Sequence, residues 1–265
     1  MSWLITPNQK LDPDAAIYID RVQAADGQSL ETPVQSALNT FVVGCKADGT
    51  WNAIKASCIL AGARTLAGAL VPLVGAAPTN PANVFVQADY SRKSGLIGNG
   101  STKYLISNFL DNGVGQNNIS LSCYQSSART ATATEGLIGV ITTTPSFSAT
   151  VLQATSGGLV AGYSRAPSDN NPFGGSITSA KFIGVSRSTS GSYVLRDNSN
   201  NTTFSQTSAS SVGINFYVFA RNNNNALSIP TNARLAFYSI GESLDLALLD
   251  TRVTALINAL TAAIP

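Results

Sequence analysis

The chain has 265 residues and a formal net charge of +2, with 44% apolar residues, 11% charged residues and no histidine. An average soluble domain carries roughly 25% charged residues, yet the high apolar content excludes disorder, which needs low hydrophobicity and high net charge. Lys and Arg are scattered without a stripe that could neutralise consecutive phosphates, so nucleic acid is excluded as a partner.

Met1 to Lys10 lacks the basic start and apolar core of a signal peptide, so synthesis in the cytoplasm is expected. Asp12-Pro13 then supplies an N-cap and a proline at the first helical position. Tyr18, Val22 and Ala25 recur at helical spacing before Asp26-Gly27 ends the run. Thr32 and Gln35 are spaced as a capping box for a second helix, whose stripe is Val34, Leu38, Phe41, Val42 and Cys45. Asp48-Gly49 is the turn, and Thr50 is expected to cap a third helix with Trp51, Ile54 and Cys58 inward and Gly62 as its stop. These helical faces need a partner, and Val34, Leu38, Phe41, Trp51 and Ile54 are the candidate docking residues. The apolar stretch from Leu66 to Ala77 is broken by Gly68, Pro72 and Gly75, so no membrane insertion is expected.

From Leu70 the period changes to two. Strands are predicted at Val84–Gln87, Gly95–Leu96, Tyr104–Ser107, Ile119–Tyr124, Leu137–Thr142 and Ser148–Gln153. They continue at Gly158–Tyr163, Ala180–Ser186, Ser192–Arg196, Thr203–Gln206, Ile214–Ala220 and Ala233–Ser239. Asn198 to Asn201 reads as a hairpin turn, because Asn tolerates positive φ. So many short strands without interleaved helices predict two packed antiparallel sheets. The last segment returns to helix: Leu246, Leu249, Val253, Leu256 and Leu260 form a heptad-like stripe. That stripe either packs on the chain's own sheet or forms the face of a homo-oligomeric bundle. The expected organisation is a helical segment over 1–69, a β-sandwich over 70–241 and an amphipathic C-terminal helix over 242–265.

Chemistry is sparse. Without histidine there is no Ser–His or Cys–His dyad, and no cofactor or metal site is expected. Cys45, Cys58 and Cys123 match no disulfide or zinc spacing and read as buried thiols. The acids of the β region, Asp89, Asp111, Glu135, Asp169 and Asp197, are isolated, so a non-enzymatic protein is expected. The glycines from Gly95 to Gly100 lack the lysine of a phosphate loop. Asp169, Asn170, Asn171, Asn222 and Asn223 are candidate glycan-binding loop residues, although a solvated hairpin tip is the simpler reading of Asn222 to Asn225.

Leu70-Val71-Pro72-Leu73-Val74-Gly75, Asp89-Tyr90 and the run Gly95 to Leu105 resemble a pattern of tailed-bacteriophage structural proteins. The run Arg234 to Gly241 followed by a helix, and the lead-in with Phe41 to Lys46 and Trp51, are similar to the same group. The resemblance implies a laminin-G-like, concanavalin-type jelly roll, localisation in the virion and other virion proteins as partners. Two expectations follow: an accessory structural piece of the capsid, head or tail, or a receptor-binding tail-fibre adhesin that grips host-surface glycans.

Overall fold

In a computed structural model, residues 10–143, 146–168 and 172–265 are described. The chain opens with helices α1 (Pro13–Asp26) and α2 (Thr32–Ala47). Asp12 caps α1 by accepting from the Asp14 amide at 3.0 Å, and Gly27 closes it at a φ of 68°. The start of α2 departs from expectation. Glu31, not Thr32, is its N-cap, and the Gln35 side chain donates to the Leu30 carbonyl at 2.9 Å instead of closing a box. The Glu31 carboxylate instead bonds the Arg92 guanidinium at 2.8 and 3.1 Å, tying the helix to the sandwich.

After a 3-10 turn at Trp51–Ala53 come β1 (Ile54–Ile59), the single turn α3 (Leu66–Ala69), β2 (Tyr90–Ser91), β3 (Gly95–Ile97) and β4 (Leu105–Leu110). Then follow β5 (Ile119–Gln125), β6 (Glu135–Thr142), β7 (Ser148–Ala154), β8 (Leu159–Ala166) and β9 (Phe173–Ser176). The chain continues with β10 (Lys181–Arg187), β11 (Ser192–Asp197), β12 (Asn200–Ser205) and β13 (Asn215–Val218). It ends with β14 (Arg221–Asn223), β15 (Ala226–Ser228), β16 (Arg234–Gly241) and helix α4 (Leu246–Ala263).

The strands form two sheets. The first runs β12-β11-β10-β5-β16-β3-β2, with β1 also paired to β16. The second runs β15-β14-β6-β7-β8-β9, and β13 joins β6 to β4. β14 runs parallel to β6; every other pairing among the described strands is antiparallel. The expected antiparallel sandwich with helical ends is therefore what the chain forms. A Cβ at Gly162 of β8 would lie 2.5 Å from Leu195 and 2.8 Å from Val185, so the sheets approach closely only because this residue has no side chain. The outer face of the first sheet is covered by helices: Phe41 of α2 meets Phe237 of β16 edge-on at 5.9 Å, and Gly184 of β10 makes room for Leu246 of α4. The order of layers is helices, first sheet, second sheet.

Three expectations are corrected. The third helix is absent: Ile54 and Cys58 lie on β1, whose residues pair with Gly241 through Phe237 of β16. A central partner strand overrides the local spacing. The sheet therefore begins at Ile54, not at residue 70. Val84–Gln87 is not a strand, because 3-10 turns at Pro81–Asn83 and Gln87–Asp89 flank it. The hairpin forms where expected but is tighter: Asn198 and Ser199, at φ of 49° and 66°, make the turn, and Asn200 and Asn201 already pair with β11 in β12.

Ion pairs, two of them buried, fasten the segments together. Arg165 and Asp111 pair at 2.5 Å with side chains 0% and 1% exposed, and Asp111 also accepts from the Val212 and Gly213 amides at 3.0 and 2.6 Å. Arg196 of β11 bonds Asp250 of α4 at 2.7 Å, while Arg252 of α4 bonds Asp48 beyond α2 at 2.7 and 2.9 Å.

Leu246, Leu249, Val253, Leu256 and Leu260 are all buried in the chain's own core, so the oligomer face expected of them is already used. Leu249→Ala should lower stability by about 2–5 kcal/mol at a urea midpoint independent of protein concentration. A midpoint that rises with concentration would instead place this face between chains.

Candidate functional site

The candidate docking residues do not form an outward surface. Val34, Leu38 and Phe41 are buried, Ile54 is buried on β1, and Trp51 packs against the core beneath the Lys46 ammonium, 5.8 Å from its ring. Asp169, Asn170 and Asn171 lie outside the described residues. Asn222 is fully buried and donates to the Asn215 carbonyl at 2.7 Å while accepting from the Asn225 amide at 2.7 Å. It holds the turn rather than facing a ligand. The tip itself is Asn224-Asn225, at φ of 50° and 68°.

The described acids of the β region are each bonded to a base: Asp89 to Lys103 at 2.5 Å, Glu135 to Arg129 at 2.6 Å, Asp197 to Lys181 at 2.8 Å, and Asp111 to Arg165. Among the described residues no three His, Cys, Asp or Glu side chains gather where they could hold a metal.

The feature with directional chemistry lies on the outer face of the second sheet. Gly139 and Ile141 of β6 sit opposite Val151 and Ala149 of β7, and Val151 sits opposite Tyr163 of β8. Their alternate neighbours Ile138, Leu152 and Gly162 point into the sandwich, so this row points away from it. Ile141, Ala149, Val151, Ala161, Tyr163 and Ala166 form a second apolar cluster, separate from the main core, with Phe147 packed against it. A cavity of about 250 Å³ opens here, floored by that cluster and rimmed by Thr143, Gln153 and Arg221. Arg221 and Asn223 alternate with Asn222 along β14, which puts Asn223 on the same side, beside Ile141.

Gln153 is the unusual member. It is only 8% exposed, and its Oε1 is buried with no hydrogen-bond donor. Asn223 Oδ1 is in the same condition. Leaving a buried amide oxygen unpaired costs about 1–3 kcal/mol, so two such acceptors on one sheet face mark a surface lacking a partner rather than a settled core. Sequence reading passed over Gln153, although a lone amide in the apolar run Val151-Leu152-Gln153-Ala154, in step with Val151, was the available signal.

A larger groove of about 490 Å³ lies between α2 and α4, lined by Pro33, Ala37, Ala255, Ala259, Ala262 and neighbours. Its charged lining residue, Arg252, is already bonded to Asp48. The groove's lining is otherwise mostly small and apolar, so the smaller cavity, with a buried unpaired amide oxygen on its rim, is the better candidate for ligand recognition.

Burial raises the thiols of Cys58 and Cys123 to about 12 and that of Cys45 to about 11. All three are free and buried. They should resist a thiol reagent at pH 8 in the native chain and react together in urea; fast native labelling of any one would contradict this burial.

No protein-family model and no curated protein matches the sequence. Among solved structures, a mutant of Trypanosoma rangeli sialidase displaying trans-sialidase activity is similar with a TM-score of 0.53 and 10% identity, over 84% of this chain and 39% of that one. The CBM40 of Ruminococcus gnavus IT-sialidase bound to α2,3-sialyllactose is similar with a TM-score of 0.38 and 12% identity, over 51% of this chain and 80% of that one. The chain spans well under half of the sialidase, and the likeness to it is one of fold.

Proposed function

We propose that the chain is a non-catalytic saccharide-binding protein whose outer sheet face receives the ligand, and that it is displayed on a tailed-phage particle as a receptor-binding adhesin. The observation that carries the reading is the unpaired Gln153 Oε1 at the rim of an apolar cavity. A sugar has an apolar ring face and hydroxyl donors at its edge, which is the complement of such a surface. Tyr163 supplies an aromatic wall. The described acids of the β region are spent on ion pairs, which supports binding over hydrolysis. The particle assignment rests on the sequence resemblance of Leu70 to Gly75, Gly95 to Leu105 and Arg234 to Gly241. A glycan array probed with the whole chain should give discrete hits that weaken about tenfold or more in Gln153→Ala. Hits unchanged by that substitution, or no hits from any host polysaccharide, would remove this reading.

A second reading, an accessory structural piece seated on other virion proteins, is favoured by the small-residue groove between α2 and α4. Ala259→Arg should then reduce the copies found by mass spectrometry in purified particles, with folding unchanged. Particles carrying the variant at full copy number would count against the groove as the attachment point.

A further inference from the structure

The cavity on the second sheet has a narrower preference than saccharides in general. Resting on the saccharide-binding reading, we propose that it takes the acylamino group of an N-acetylated amino sugar. Gln153 Oε1 needs a donor, and two residues earlier on the same strand and face stands Val151, flanked by Ile141 and Ala149. Phe147 packs on the same cluster. The ligand must therefore place an N–H or O–H donor and an apolar group within one side chain's length of each other.

A neutral hexose meets the first requirement with a hydroxyl and the second only in part, with its ring face. Its ring carbons carry further hydroxyls, and turning one toward Val151 and Ile141 strands it without a partner. An acetamido substituent meets both. Its N–H donates to Gln153 Oε1, and its methyl, on the same side of the planar amide as that N–H, covers Val151 beside Tyr163. The cavity of about 250 Å³ admits one sugar unit rather than a long chain segment, so this is a subsite for a single residue or a chain end.

The test compares methyl N-acetyl-β-glucosaminide, methyl N-acetyl-β-galactosaminide and methyl β-glucoside on the whole chain, by calorimetry and saturation-transfer NMR. At least one acetamido sugar should bind about tenfold or more tighter than the glucoside, with its acetyl methyl receiving the largest saturation. Gln153→Leu should abolish that preference while melting no lower than the parent, because it replaces an unpaired buried oxygen with apolar atoms. Equal binding of all three sugars, or saturation confined to ring protons, would overturn the acetamido assignment and leave the saccharide site standing. Failure of every saccharide on an array to bind would overturn both.

Discussion

A sheet that is apolar on both faces must be covered on both, and the first sheet of this protein is such a sheet. Along β16, Phe237 meets the helix layer through Phe41, while Tyr238 faces inward, its hydroxyl 3.4 Å from the Cys58 sulfur. The second sheet covers the inner side, and α2 and α4 cover the outer side. This requirement decides much of the rest. It commits the apolar stripes of α2 and α4 to the chain's own core, at about 1.5–3 kcal/mol for each large side chain buried. The second sheet, by contrast, carries only a small apolar cluster on its outer face, and that face holds the cavity at Gln153.

How far the fold could be read from sequence follows from the same layering. Strands such as β5, β10, β11 and β16 were legible because several alternating residues lie between clear turns, and the Asn198 turn was legible from its chemistry. β1 was not. Five of its six residues are buried, so it shows no alternation, and the four-residue spacing of Ile54 and Cys58 imitates a helix stripe. Its identity comes from β16, almost 200 positions away in the chain. The short strands β14 and β15 fall below the length at which a period can be recognised. In α4 the steps of three and four were correct, yet they look the same whether the partner is another helix or a sheet. The cavity was less legible still. Ile141, Gln153, Tyr163 and Arg221 come from four strands, and only sheet register brings them together.

The low charge content acquires a structural meaning. Several of the few charges are spent internally, in pairs that join distant segments: Arg165 with Asp111 and Arg196 with Asp250. Buried pairs add little net stability over apolar packing, but an unmatched member is costly, so each pair penalises arrangements that separate its two segments. Arg187 follows the same logic without an acid. Its guanidinium donates to the carbonyls of Ser164, Thr189, Ser190, Ser192 and Gln206 and lies 5.1 Å from the Tyr193 ring centroid, pinning the β11–β12 hairpin to β8.

The margins of the two sheets carry one more consequence. β2 has two residues, β15 three and β9 four, while the longer β12 exposes Asn200, Asn201, Thr202 and Thr203. Single bridges from Val74 and Thr79 shield β1 and β4. Unpaired strand backbone is the template on which neighbouring chains add to one another, and length and apolarity are what make that addition favourable. With its margins short, polar or capped, this protein can be packed at high local density without polymerising through its sheets.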